Sequence, residues 1–251
     1  MAYKIQMYGW RPSFPDPRNA PADSYGLTAK SEVDPRDTMQ APYDQGQLGS
    51  CTANAYAGAV EYDDKLDGGS FGTPSRLGIY YGERLREGSV AEDSGAMGHD
   101  AFKDGRKYGV GSEELWPYDI AKFAETPSTE YLESRGNHKV LSYKHPTPNI
   151  DIFKSLLSND QTIAFGFTVY EAFESQQVAE TGIVPMPQRR EEILGGHEVL
   201  IVGYLATYPE HALVRNSWGT EWGLEGYFLM PWSYILDPNY SGDWRTIYRP
   251  A

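Results

Sequence analysis

Midway along this 251-residue chain the apolar residues change period, and that switch restricts the fold more than any other feature. Before Trp116-Pro117-Tyr118 the spacing is helical, and after it short β-rich runs follow one another. The most regular helical window starts at Ser50, a favourable N-cap, and carries Ala53, Ala55, Tyr56, Ala57, Ala59 and Val60 to about Leu66. Small and apolar residues on several faces predict a helix buried on most sides. Residues 76–87 and 96–108 predict two more helices, each interrupted by glycine, and residues 150–158 a short one. Strands are predicted over 139–145, 162–169, 197–204, 212–216 and 226–230. Helices first and strands afterwards, with no internal repeat, imply an α+β fold with a mainly helical lobe over about 39–137 and a β lobe over about 138–251. A cleft between two such lobes is the expected place for a ligand.

Residues 10–44 differ in kind. Pro, Asp and Gly dominate them, which predicts an extended segment lying across a surface. Tyr8, Trp10, Phe14 and Tyr25 supply apolar anchors, and a flexible tail is the alternative. Residues 1–38 are therefore set apart from one domain over 39–251. The net charge of −13 and the lack of any Lys/Arg cluster exclude nucleic acid as an expected partner. One cysteine cannot make an internal disulfide, which favours a reducing compartment or a core that needs no bridge. Met1 to Trp10 lacks the apolar run of a signal peptide or membrane span, so no membrane association and a cytoplasmic location are expected. The five His and single Cys show no metal-ligand spacing, so neither metal nor cofactor is expected.

Cys51 falls at the start of the Ala-rich helix, where unpaired backbone N–H groups favour an anion such as a thiolate. A buried structural cysteine is the alternative. Six residues upstream, Gln45 sits in Asp44-Gln45-Gly46-Gln47-Leu48-Gly49-Ser50-Cys51, whose glycines let the backbone turn. Its amide N–H and the Cys51 N–H would form a two-donor oxyanion hole, unless Gln45 is merely a solvated polar residue. His197 opens an apolar strand behind Gly195-Gly196, glycines that permit close approach of a backbone or a substrate. Asn216 follows 19 residues later at the end of a second apolar strand. Neighbouring strands would let its amide oxygen orient the His197 ring toward the thiol, with Trp218 shielding that bond or simply filling the core.

In order and spacing, Gln45, Gly49-Ser50-Cys51, Gly196-His197 and Asn216-Ser217-Trp218-Gly219 resemble the papain family of cysteine peptidases, and Trp222-Gly223 and Gly226-Tyr227 continue the pattern. Weaker similarity through Asp93-Ser94-Gly95-Ala96, Tyr108-Gly109-Val110 and Trp116-Pro117-Tyr118 extends it over roughly residues 40–230. The resemblance implies a two-lobed papain-like fold with an antiparallel, barrel-like β lobe and the active site in the cleft. It implies an endopeptidase acting on peptide or protein substrates through a Cys51 thioester. His197 would be general base and acid, Asn216 the orienting residue and Gln45 an oxyanion donor. Gly95, Ala96, Gly196 and Trp218 would contact substrate.

Two positions depart from the family's C-G-[SA]-C-[WY] signature, because Leu48 and Thr52 flank Gly49-Ser50-Cys51. Leu48 removes a usual disulfide partner, so the chain is most similar to the disulfide-free bacterial branch. Only 50 residues precede Cys51, too few for the family's long prodomain, and residues 1–38 are expected to lie in or beside the cleft and restrain activity. Two other readings compete: a non-catalytic peptide-binding protein on the same scaffold, and a Cys-His acyl-transfer or amide-hydrolysing enzyme.

Overall fold

A computed structural model describes residues 8–14, 21–22, 28–69, 71–140 and 142–247. Among the described residues there are seven α-helices and seven strands, and apart from the two-residue β1 the helices dominate the first half and the strands the second. Helix α1 (Cys51–Leu66) is buried through Tyr62. Its N-cap position is Ser50, whose hydroxyl pairs with Tyr118 instead of capping the helix. Helix α2 (Arg76–Glu87) is capped by Ser75, which accepts from the Gly78 N–H, and stops at Gly88 in the left-handed region. Helix α3 (Gly98–Tyr108) likewise ends on a positive-φ residue, Gly109. The short α4 (Thr129–Ser134), α6 (Gln176–Thr181) and α7 (Trp232–Ile235) lie outside the expected set, whereas α5 (Ile150–Ser158) matches its predicted range.

The strands are β1 (Pro21–Ala22), β2 (Tyr143–Pro146), β3 (Ile163–Tyr170), β4 (Ile193–Gly203), β5 (His211–Arg215), β6 (Tyr227–Pro231) and β7 (Ser241–Ile247). They form one sheet in the order β1-β2-β7-β3-β4-β5-β6, antiparallel except for the short β1–β2 pair. Period-2 alternation sorts side chains to its two faces. Phe165, Phe167, Val169, Val199 and Ile201 point into one core with Phe173, Trp218, Trp222 and Phe228. Ala164, Leu200, Val202, Leu213 and Leu229 point the other way, against Ala53, Tyr56, Ala57 and Val60 of α1. Small residues on α1 let that helix lie close to the sheet: Gly58 faces Leu200 and Arg215 of β4 and β5. Cys51 on α1 and His197 on β4 are thereby brought to one junction.

The second half differs from the expected pattern in two places. The strand expected over 139–145 shrinks to Tyr143–Pro146, and β7, which was not expected, lies inside the sheet between β2 and β3. The sequence Ser-Gly-Asp-Trp-Arg-Thr-Ile has no alternating apolar pattern, so only pairing with β2 and β3 makes it a strand. Phe167 is fully buried and packs edge-on against Phe173, Tyr234 and His197. Phe167→Ala is expected to lower unfolding free energy by about 3–5 kcal/mol in urea titration, from lost transfer energy plus a cavity.

Candidate active site

The turn that presents Cys51 is pinned from outside. The Gly49 N–H donates to both carboxylate oxygens of Asp93, 3.1 Å each, and Tyr80 donates its hydroxyl to the same group. Asp93 was singled out in the sequence only as part of a weak match, and nothing there indicated this anchoring. Cys51 itself is fully buried.

Gln45 is also buried, on a short bridge that joins Asp44 to Trp218. Its side-chain oxygen accepts from Ser217 Oγ at 2.6 Å, which fixes the amide orientation. Nε2 donates one N–H to the Leu48 carbonyl at 3.0 Å. An amide NH2 has two donors, so the second is left for another acceptor. The solvated alternative for Gln45 does not hold.

His197 sits opposite Phe167 in the β3–β4 ladder and is 1% exposed. Its Nε2 lies 2.8 Å from Asn216 Oδ1, the oxygen that also accepts the Ser217 N–H at 2.9 Å. An acceptor at that position assigns the proton to Nε2 and leaves Nδ1 with its lone pair. Trp218 stacks on the imidazole with centroids 5.1 Å apart at 28°, backed by Phe173 and Trp222. Expected among the substrate contacts, Trp218 is 2% exposed and covers the His197–Asn216 bond instead.

The remaining expected contacts, Gly95, Ala96 and Gly196, are taken up by this chain's own residues 8–11. Ala96 N–H donates to the Gly9 carbonyl at 2.7 Å, Arg11 N–H to the Ala96 carbonyl at 3.0 Å, and Trp10 N–H to the Gly196 carbonyl at 3.0 Å. Gly9 crosses so near the Gly49 carbonyl that a Cβ there would collide with it. Its N–H points at the Cys51 sulfur, as does the Glu198 N–H. Tyr8 lies on Gly195 and Trp10 on Gly166 and Gly196, where any side chain would occupy their rings' space. The double glycine ahead of His197 thus admits a backbone and two aromatic rings.

Polar contacts hold the segment down. Tyr8 pairs with Glu174 and Arg11 with Glu87, and the Trp10 indole N–H and the Ser13 N–H both donate to Asp243 Oδ2, at 3.1 and 2.7 Å. Asp243 lies on β7, which is why the sequence reading did not find it. Phe14, expected as an anchor, is 76% exposed and anchors nothing; Tyr25 lies outside the described residues.

Burial sets the protonation states. Burial pushes the Cys51 thiol up to about 12, against the opposing N–H groups of Glu198 and Gly9. Burial also pushes His197 down to about 4, against the opposing Asn216 bond. Thiol and imidazole are both neutral across mid-range pH, and no hydrogen bond joins them among the described residues. The Cys51 sulfur is in place but uncharged. No cluster of three or more His, Cys, Asp or Glu suited to a metal occurs among the described residues.

Comparison with known proteins places this arrangement in context. The sequence profile described as "Papain family cysteine protease" matches residues 29–234. An uncharacterized peptidase C1-like protein of Acanthamoeba polyphaga mimivirus is 43% identical over 213 residues, covering 81% of this chain and 68% of that protein. Cathepsin K of Gallus gallus is 29% identical, covering 74% of this chain and 54% of its own length. The crystal structure of xylellain, a cysteine protease from Xylella fastidiosa, superposes with a TM-score of 0.89 at 34% identity, covering all of both chains.

Proposed function

This chain belongs to the papain family of cysteine proteases, and from that premise we propose a peptidase in which Cys51 attacks the peptide bond and residues 8–14 hold the site shut. The observation that carries both halves is the burial of Cys51 beside the backbone N–H groups of Gly9 and of Glu198, the residue after His197, with Tyr8 edge-on to the His197 ring. In the open form His197 Nδ1 takes the thiol proton, and Asn216 keeps the ring aimed while the imidazolium exists. The thiolate adds to the substrate carbonyl carbon, and the Cys51 N–H and the second Gln45 N–H receive the oxyanion. His197 then protonates the departing amine, leaving a thioester that water hydrolyses with His197 as base. An extended peptide pairs with Ala96 and Gly196 through the backbone groups that Gly9, Trp10 and Arg11 use in the covered form.

The covering segment is an inhibitor by geometry rather than a slow substrate. A donor, the Gly9 N–H, faces the sulfur, and the Gly9 carbonyl is turned to Ala96.

The epoxide inhibitor E-64 tests this reading. One equivalent is expected to attach at Cys51, located by mass spectrometry, and at least ~10-fold faster in Gly9→Val, whose side chain cannot pass Gly49. Equal rates in the two proteins would sink the covering role; no adduct in either would sink the nucleophile assignment. Gln45→Ala is expected to lower kcat by about 10²–10³-fold with a smaller change in KM, because its N–H strengthens mainly in the transition state.

A further inference from the structure

Directly behind the Cys51–His197 junction lie two buried carboxyl groups that the chemistry above does not use. Glu83 on α2 is fully buried, and Glu198, the residue after His197 on β4, is 1% exposed. Thr52, next to Cys51, donates its hydroxyl to Glu83 Oε2 at 3.0 Å. The other oxygen of Glu83 and both oxygens of Glu198 have no hydrogen-bond partner among the described residues. Gly98 at the start of α3 lies flush against the Glu198 carboxyl, and a Cβ there would overlap it. The charged form of Glu198 acts on Glu83 directly, and both act on the Cys51 sulfur.

Two like charges buried in each other's field, with one donor to Glu83 and none to Glu198, are strongly disfavoured, and such a pair keeps a proton instead.

We propose that Glu83 and Glu198 form a proton-holding acid pair behind the thiol, and that its ionisation ends the enzyme's active range on the alkaline side. This assignment makes them positioning residues and rests on Cys51 and His197 being the catalytic couple. The charged and titratable groups acting on the pair are Arg84 on α2, Asp100 on α3, Arg245 and Asp243 on β7 and the Cys51 thiol on α1. Asp100 is compensated by His99 and Arg86. Arg245 opposes Asp243 in its effect on Glu198, and Arg84 opposes the carboxylates around Glu83. Burial remains the leading influence on both acids, raising Glu83 well above the carboxylate range and Glu198 to about 8. As pH rises through that value a negative charge appears beside the sulfur and opposes the thiolate.

Because Cys51 is the only cysteine, alkylation by iodoacetamide reports on this thiol alone, and comparing variants at each pH holds the cover constant. In the full chain, Glu198→Gln keeps shape and a donor but cannot ionise. Its alkylation is expected to run about tenfold faster than wild type at pH 9 and within twofold at pH 6.5, one unit of thiol acidity being a factor of ten. The alkaline fall of kcat/KM should move upward in the same variant. Superimposable pH profiles for wild type, Glu198→Gln and Glu83→Gln would overturn the assignment. Should a variant fail to fold, infrared difference spectra of wild type decide: a protonated-carboxyl C=O stretch is expected at pH 7 and should fade as pH passes 8. Absence of that band at pH 7 overturns the pairing, whereas a thiol unreactive at every pH with the band present faults only the catalytic reading of Cys51.

Discussion

Removing residues 1–14 is expected to speed alkylation of Cys51 at pH 7 by about 100-fold or more and to raise peptide turnover in step. With the thiol near 12 in the covered form, the thiolate fraction is roughly three orders of magnitude below that of an ordinary cysteine. Uncovering the junction removes the burial that causes the shift and frees Gly95, Ala96 and Gly196 for a substrate. The same groups make the cover respond to pH. His197 is held near 4 under the segment against an ordinary 6.5, so an open form binds a proton that the covered form refuses. Covering is therefore fully stable above 6.5 and weakens as pH falls toward 4, by roughly 3 kcal/mol across the window. For Cys51 the sign is reversed, since its folded value lies above the ordinary 9.0. Covering is intact below 9.0 and weakens as pH rises toward 12. Hydrogen exchange of the Trp10 and Arg11 amides should accordingly be slowest between 6.5 and 9, beyond the intrinsic pH dependence of exchange. An exchange minimum outside that interval, or no rate gain on truncation, would show that the segment packs without governing the site.

Cys51→Ala is expected to abolish hydrolysis of a denatured protein substrate, by roughly 10⁴-fold or more, as removal of a nucleophile does where the rest of the site remains. The loss is complete in chemical terms because no second cysteine exists to take over. Thermal stability should change little, since the variant deletes one sulfur and keeps the segment's hydrogen bonds to Ala96 and Gly196. The alkaline opening window should disappear while the acid one, which belongs to His197, stays. Residual cleavage within tenfold of wild type would place the nucleophile elsewhere.

Much of this could be read in the chain itself. The Gly49-Ser50-Cys51 turn, the glycines before His197 and the Asn216-Ser217-Trp218-Gly219 stretch are local patterns, and their spacing announced the site. Helices α2 and α5 were legible because caps and periodicity are also local. Strand β7 was not: its residues have little strand preference and become a strand only between β2 and β3. With β7 went Asp243, and with Asp243 the means by which Trp10 and Ser13 are fastened. Tyr8 and Trp10 could be recognised as anchors, but Phe14 could not be told apart from them, since exposure depends on what lies opposite.

By itself, then, the sequence determined the fold class and the family, because residue type and spacing carry the pattern of Cys51, His197 and Asn216 that marks it. The tertiary structure decided the state of the Cys51 thiol. Whether Cys51 is charged depends on burial by Gly9, Tyr8 and Trp10 and on the carboxyls of Glu83 and Glu198, groups 32 to 147 residues away along the chain. Electrostatic energy depends on distance and solvent exclusion in space, and neither quantity is written in the order of the residues.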